Sequence, residues 1–564
     1  VRLWIAIAAL SLVASRACAD ATVTLCATDG QLGTGVNLSN ALAAAGVIRF
    51  QCPPSTVLRV TKTYRLTAGT TINGGGSLTL DGNGLVGPLL DAAQNSVSLN
   101  GLTLRSFVNP RHPGVDTGLL GPAAIAQTSA NLTLNGVTTD AVPFPFAATG
   151  RMTVQNSNFD TPSGYALVGG DVYIDHSRFV GGSGVRLTSG KILNSAFSGM
   201  TGAVTVDPPT GPVEIRACSF TGNPGPPVSV STAVEAAAPL TVTVRDNTFS
   251  NNSSGAISFA ERRHVGGAPH PGTGRAPAQP VRLVTAYNRF TQNQAANGGA
   301  VAAELANGAA WQSIGDLFVG NVASGAGGAV SVSGGGATLT HALFSGNAAA
   351  GKGAAISVSD DAEATIVNTL AVRNKGPSGV FEGGRLTFVN ATIAANLAVG
   401  VAGGAGTRVT NAILAGNRPG DCANLATGSF VGPSLQSDGS CPGAPTGDAY
   451  LDAMFFPAPT SPVETAGDPS ACAGDPVNGV DLLFQTRGLG GHCALGAFEY
   501  VPIRSLQQAA GSPVPHGDPN DDFPDAPTAG PAPPSDGSGG SPASGSRSDP
   551  GSSGTGGANG SQPY

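Results

Sequence analysis

The chain has 564 residues, of which 11% are charged and 5% aromatic, and it carries 82 glycines. So much glycine with so little charge excludes a helical bundle and suits short strands joined by tight turns; the length exceeds what one compact core fills unless the fold is a barrel or a repeat. A formal net charge of −7 excludes the basic field that would hold nucleic acid or anionic lipid.

Residues 1–19 read as a secretory signal: Arg2 gives a positive start, Leu3 to Val13 is apolar, and Ala17-Cys18-Ala19 is a small-x-small cleavage site. The apolar run is too short for a membrane anchor, and Arg16 sits badly for lipidation of Cys18. Val1 in the initiator position is what a literally translated GTG start leaves, so the expectation is a bacterial gene and an exported protein, secreted or held at the cell surface. No later apolar stretch approaches about 20 residues, so no membrane span is expected once the signal is removed. Residues 20–60 read as an N-terminal cap. Asn37 or Ser39 can cap a short helix through Ala45, Gly46 can end it, and such a helix would cover the open end of stacked strands. The run Asp81-Gly82-Asn83-Gly84 looks like part of a calcium loop but lacks the later acidic ligands, so a rung turn is expected there and no metal.

Residues 61–420 are dominated by a repeat. "FSNNSSGAI", "FTQNQAANGGAV", "FVGNVASGAGGAV" and "FSGNAAAGKGAAI" each place an asparagine three residues after a phenylalanine, then glycines, then a branched residue. The asparagines are Asn223, Asn252, Asn293, Asn321, Asn347, Asn374, Asn396 and Asn417. Phe159, Phe179 and Phe197 extend the series upstream without them. Apart from one long step between Phe249 and Phe290, the spacing lies near the period range of solenoids. Flanking segments such as "LTVTVRDNTF" alternate as strands do. One such unit cannot bury its apolar face alone, whereas stacked units can, and roughly a dozen rungs at about 4.8 Å make a rod on the order of 60 Å long. In that stack the phenylalanines point inward in file, and the asparagines form a side-chain ladder in the following turn. The glycines allow positive φ, and Val301, Val330 and Ile356 re-enter the core. The loop between asparagine and glycine varies in length, which marks that edge as a carrier of contacts. A second column, Asn156, Asn194, Asn368, Asn390 and Asn411, stands three residues before each apolar residue; Asp246 and His341 share it, which makes His341 a turn residue.

Candidate chemistry is sparse. Asp175-His176 falls at a corner. The long step holds an insertion, Glu261 to Pro280, whose Arg262, Arg263, His264, His270 and Arg275 could meet an acidic glycan. Asp360 and Asp361, followed by Glu363, form the densest acidic group and are the candidate catalytic residues, although adjacent side chains on a strand diverge. Residues 421–503 form a closing segment rich in cysteine, and residues 504–564, rich in Gly, Ser, Pro and Asp, read as a disordered tail. Sequence proximity pairs Cys26 with Cys52, Cys422 with Cys441 and Cys472 with Cys493, with other connectivities open, and leaves Cys218 a buried thiol. No Cys/His cluster has zinc spacing, and nothing calls for a cofactor.

The FxxN and GGA[ILV] words resemble the repeats of chlamydial-type polymorphic outer membrane proteins and related exported bacterial right-handed parallel β-helix proteins. The amino end, "VTLCATDGQLGTGVNLSNALAAAGVIRFQCPPSTVLRV", is similar to the cap that opens many of them. Cys493, Gly496, Ala497, Phe498 and Glu499 match their closing Cys-Asp-Ile-Gly-Ala-Phe-Glu string, with Ala494 in place of the acidic residue. The resemblance covers about Thr22 to Tyr500. It implies an all-β, right-handed parallel β-helix (solenoid) with a short N-terminal capping helix. Polymorphic membrane proteins carry a C-terminal translocator barrel, and no alternating strands follow Tyr500 here. The expected function is that of a non-enzymatic surface or extracellular scaffold, an adhesin, binding glycan or another cell-surface component. The alternative is a polysaccharide lyase or glycoside hydrolase with a groove along one sheet, the activity of other right-handed β-helices; those of the galacturonase type carry Gly-His-Gly and Arg-Ile-Lys words that are missing here. Oligomeric state is open.

Overall fold

The computed structural model describes residues 20–44, 46–108, 123–207, 209–234, 239–260, 279–488 and 491–499. The signal segment 1–19, the insertion residues Arg262, Arg263, His264, His270 and Arg275, and the tail 504–564 lie outside them.

The chain is a parallel β-helix. Each turn of the coil contributes three strands, and each strand pairs in parallel with its equivalent one turn later. In the first sheet Val213–Arg216 pairs with Val242–Arg245, then Leu283–Ala286 and Trp311–Ile314. In the second, Phe220 lies opposite Phe249, Phe290, Phe318 and Phe344 in succession. In the third, Val228 lies opposite Ile257, Val301, Val330 and Ile356. A connection that returns to a parallel neighbour in one sheet takes the right-handed course, which sets the hand of the coil. The direct pairing of Phe249 with Phe290 makes the long step a single turn with an insertion.

The phenylalanines from Phe159 to Phe344 stack with ring centroids 4.7–4.9 Å apart. Ala371, Ile393 and Leu414 carry the file onward. The rod also begins earlier than its motif: Leu58, Leu80, Leu104 and Thr139 precede Phe159 in the same column. Identical rings at the strand spacing fill the interior without changing shape from rung to rung.

At the corner after this strand the asparagine amides are buried in a continuous chain. Asn223 Nδ2 donates to Asn252 Oδ1 at 2.8 Å, and the pattern repeats through Asn293, Asn321, Asn347, Asn374, Asn396 and Asn417. The second amide hydrogen of Asn252 reaches Phe220 O, and that of Asn293 reaches Phe249 O, so side chain and turn satisfy each other. The file ends where Asn417 Nδ2 meets the carboxylate of Asp421 at 2.8 Å. Midway along the rod, Gly327 lies between Asn321 and the third-sheet Val330 at φ +71°, where a Cβ would lie 2.1 Å from Val330 O; glycine is required at that corner.

A second buried file went unread in the sequence. Asn247 donates to Asn288 Oδ1, and Asn288 donates to Asp316 Oδ1, both at 3.0 Å. Asp316 also accepts from Thr285 Oγ1 at 2.5 Å and Ser313 Oγ at 2.7 Å, and Trp311 Nε1 donates to Thr285 Oγ1. Burial pushes the Asp316 carboxyl up to about 6 despite these donors.

The helix Leu38–Ala44 buries Leu38, Ala41 and Leu42 against the first turns, with Asn37 Oδ1 accepting from Asn40 N at its start. Below it Asp29 accepts from Thr61 and from the Tyr64 hydroxyl. Cystines join Cys26 to Cys52, Cys422 to Cys441 and Cys472 to Cys493. Cys218 is free and buried, its thiol pushed up to about 12 chiefly by desolvation.

Candidate functional site

Asp360 and Asp361 lie at the corner between the third sheet and the next first-sheet strand. Pairing with the following turn shifts register between Val358 and Glu363, so strand alternation is broken there. Both side chains are exposed while Ala362 turns inward, which differs from the divergence that a regular strand would impose. Ser359 Oγ hydrogen-bonds Asp361 Oδ1 and holds that carboxyl below the usual carboxylate range. Glu363 lies opposite Arg385 on the adjacent turn. The pairing series that joins Ile257 to Val301, Val330 and Ile356 places Ala260 on this same edge, three turns before Ser359. That is a rise of roughly 14 Å at the strand spacing. Ala260, the last described residue before the insertion, thus lies on the edge that carries the acidic pair.

This edge is where the turns differ most in length. The rung with the insertion takes the chain from Ala260 to Leu283 to reach the same first-sheet column that Ser333 to Ala337 reaches two turns later. The loops after the asparagines vary in length too, as expected, from Asn252–Ile257 to the longer Asn321–Val330, and the longer ones begin with a short ladder: Gln294 pairs with Val322, Val322 with Ala348, and Ala348 with Lys375.

Outward charges are largely matched between neighbouring turns. Arg105 meets Asp81 at 3.0 Å, Arg151 meets Asp171 at 3.4 Å, and Lys191 and Arg245 flank Glu214 at 3.0 and 3.3 Å. Burial opposes the charge on Glu214, yet the two cations hold its carboxyl below the usual range. Asp81 also accepts from Asn83 N, closing the Asp81–Gly84 turn. His176 Nδ1 lies 2.8 Å from Asp175 Oδ1, which Asn194 Nδ2 shares at 2.9 Å. Among the described residues no group of three or more His, Cys, Asp or Glu gathers to hold a metal ion.

The second asparagine column occupies left-handed corners, with φ of 46–54° at Asn156, Asn194, Asn368, Asn390 and Asn411, 58° at Asp246 and 55° at His341. Its upper part has a use that sequence reading missed. The chain from Asp448 to Glu499 runs back along the flank of the last turns as a strap. Asn368 Nδ2 donates to Val480 O, Asn411 Nδ2 to Asp468 O, and Asn390 contacts Cys472 Sγ. Gly496 N donates to Asn411 O and Ala497 N to Thr392 Oγ1. Arg487 is buried at the centre. It donates to Glu499 Oε2 and Ala494 O at 3.3 Å, Gly496 O at 2.7 Å and Asn368 Oδ1 at 3.1 Å. Beneath the strap Leu370, Val372 and Ala394 pack against Ala497, Phe498, Leu451, Phe456 and Leu482.

Two loops of the strap share one hydrogen-bond pattern. Asp452 Oδ1 accepts from Met454 N and Phe456 N, and Asp481 Oδ1 accepts from Leu483 N and Gln485 N. Each loop places a phenylalanine at positive φ, Phe455 at 69° and Phe484 at 61°. Phe455 lies under the Arg373 guanidinium, and Phe484 stacks on His341 at 4.3 Å. A cleft of about 420 Å³ separates the upper loop from Ala395, Ala415 and Gly416 of the rod, with Asp448 and Asp452 on its rim.

No family model matches the chain, and no curated protein matches it. Among solved structures it is similar to tailspike protein 3 of bacteriophage CBA120, at 15% identity and a TM-score of 0.32, over 75% of this chain and 61% of the tailspike. The chain thus spans less than two thirds of that protein's length.

Proposed function

We propose that this protein is an exported bacterial β-helix scaffold of the polymorphic outer membrane protein repeat type. It works outside the cell or at its surface as an adhesin and binds a glycan or another cell-surface component. The observation that carries this reading is the unbroken amide file from Asn223 to Asn417 beside the stacked phenylalanines, a regular rod whose longest step between sheets falls at the corner after Ala260. Fixed rungs with interchangeable loops are a general way to present contacts at set spacings. The binding edge in this reading is the corner that carries Asp360, Asp361 and the insertion beginning after Ala260. Three cystines suit an oxidising compartment. A glycan array with the full chain, repeated with Asp360→Asn/Asp361→Asn, tests it: bound glycan recovered intact is expected, and no retention of any glycan or cell-surface preparation would overturn it.

A second reading, a polysaccharide-active enzyme, draws on the clustering of Asp360, Asp361 and Glu363 on one corner, with Arg385 on the next turn. Glycan bound by the wild type and released as shortened products, with turnover lost in Asp360→Asn/Asp361→Asn, would establish it in place of the scaffold.

A further inference from the structure

His341 occupies a corner that several other turns give to asparagine, and its surroundings are made for an uncharged ring. The imidazole stacks on Phe484 with planes 13° apart, and Nε2 lies 3.4 Å from Asn368 Nδ2. That amide is held in one orientation: Oδ1 accepts from Arg487 Nη2 at 3.1 Å and Nδ2 donates to Val480 O at 2.8 Å. A donor therefore faces Nε2, which can only accept, and the ring's proton resides on Nδ1. Nδ1 is buried with no hydrogen-bond partner among the described residues.

The charges around the ring come from the strap. Arg487 is the buried cation at the junction, and burial together with that cation lowers the imidazole to about 4. Glu499 is spent on Arg487, Ala494 N and Gly488 N. Asp481 is spent on Leu483 N, Gln485 N and Glu499 N. On the rod side Tyr287, two turns earlier, meets Phe484 at 6.2 Å, and Asp316 on the preceding turn faces the core donors Thr285, Ser313 and Asn288.

We propose that His341 is the proton-sensing element of a latch: proton uptake there releases the Asp481–Gln485 loop and its strap from the rod and uncovers the apolar stripe of Leu343, Leu370 and Val372. A protonated ring sets an N–H against the amide hydrogens of Asn368. It also adds a second positive charge beside Arg487, where water cannot screen it. The docked ring holds its proton less tightly than the free one, so the undocked form binds more protons between about pH 4 and the ordinary histidine value near 6.5. Docking is at full strength above that window and weakens as pH falls through it, by on the order of a hundredfold.

The test is hydrogen exchange of the full chain between about pH 7 and about pH 4.5, corrected for intrinsic exchange chemistry. Peptides covering 479–499 are expected to lose ten- to a hundredfold protection on acidification, while peptides of the phenylalanine sheet keep theirs. His341→Phe retains a ring against Phe484 but takes no proton, and its strap is expected to stay closed. His341→Asn, the residue this corner carries at Asn368, Asn390 and Asn411, serves if the phenylalanine variant fails to fold; its strap docks more weakly, but without pH dependence. Strap protection that ignores pH in the wild type overturns the latch. So does opening that persists in the His341 variants, and if that opening vanishes in Glu499→Gln the proton belongs to the carboxylates instead.

Discussion

Arg487 and Asn368 are 119 residues apart in the chain, yet the guanidinium Nη2 of one donates to Oδ1 of the other at 3.1 Å. This bond ties the strap to a corner of the rod through a group that is itself buried and paired with Glu499. Arg487→Met would leave the Glu499 carboxylate unpaired and three acceptors, Ala494 O, Gly496 O and Asn368 Oδ1, short of a donor. Breaking one side of a buried pair costs about 3–5 kcal/mol. The strap is expected to detach while the rod stays folded, measured as loss of exchange protection in 479–499 with the phenylalanine sheet unchanged.

Asn293 sits mid-file, where its Oδ1 accepts from both N and Nδ2 of Asn252 and its Nδ2 serves Asn321 Oδ1 and Phe249 O. Asn293→Ala strands at least two buried donors on Asn252, at about 1–3 kcal/mol each. A loss of about 3–6 kcal/mol is expected in denaturant unfolding. Asn293→Asp should be worse, because a carboxylate oxygen would then face the two acceptors that the amide now serves.

The rod was legible and the strap was not, for a physical reason. Phe290, Phe318 and Phe344 repeat because each must match the ring above and below it, and identity at a fixed period is visible in one sequence. Leu58, Leu80 and Leu104 hold the same column without the motif, so no repeated word marks them as part of it. The strap makes each of its contacts once, between residues such as Thr392 and Ala497 that share no pattern. A signal for it did exist. Outward positions of the second sheet are polar through Ser219, Thr221, Thr248 and Ser250, and turn apolar at Leu343, Leu370, Val372 and Ile413. An exposed strand face that loses its polar half is one that something covers. Asp360 and Asp361 were visible as a cluster, but their shared exposure depends on a register shift that alternation alone does not announce.

Phe290 is flanked by Phe249 and Phe318 at 4.9 Å on either side. Phe290→Ala removes both stacking partners' neighbour and leaves a cavity that a rigid rod cannot close, with a cost of about 3–5 kcal/mol. Phe290→Leu should cost much less, about 1–2 kcal/mol, since Leu104 and Leu414 fill the same column elsewhere. Thermal unfolding of the two variants side by side checks the ratio; equal losses would contradict a packing origin.

Asp316 gives the interior a pH dependence of its own. Its carboxyl is raised to about 6 in the fold, against an ordinary carboxylate value near 4 when the chain is unfolded. Between those values the folded chain binds more protons, so stability falls as pH rises through this window and stays low above it. Asp316→Asn continues the file begun by Asn247 and Asn288: Oδ1 still accepts from Asn288, and Nδ2 donates to the Thr285 or Ser313 hydroxyl. The variant is expected to be more stable near pH 7, by up to roughly 2–3 kcal/mol, and to lose the slope between about pH 4 and pH 6 that the wild type shows in denaturant titrations. This slope has the opposite sign to that of the His341 junction, where acid weakens docking. Exchange in the rod around Trp311 and in the strap around Arg487 should therefore move in opposite directions on mild acidification, and Asp316→Asn should flatten the first without touching the second.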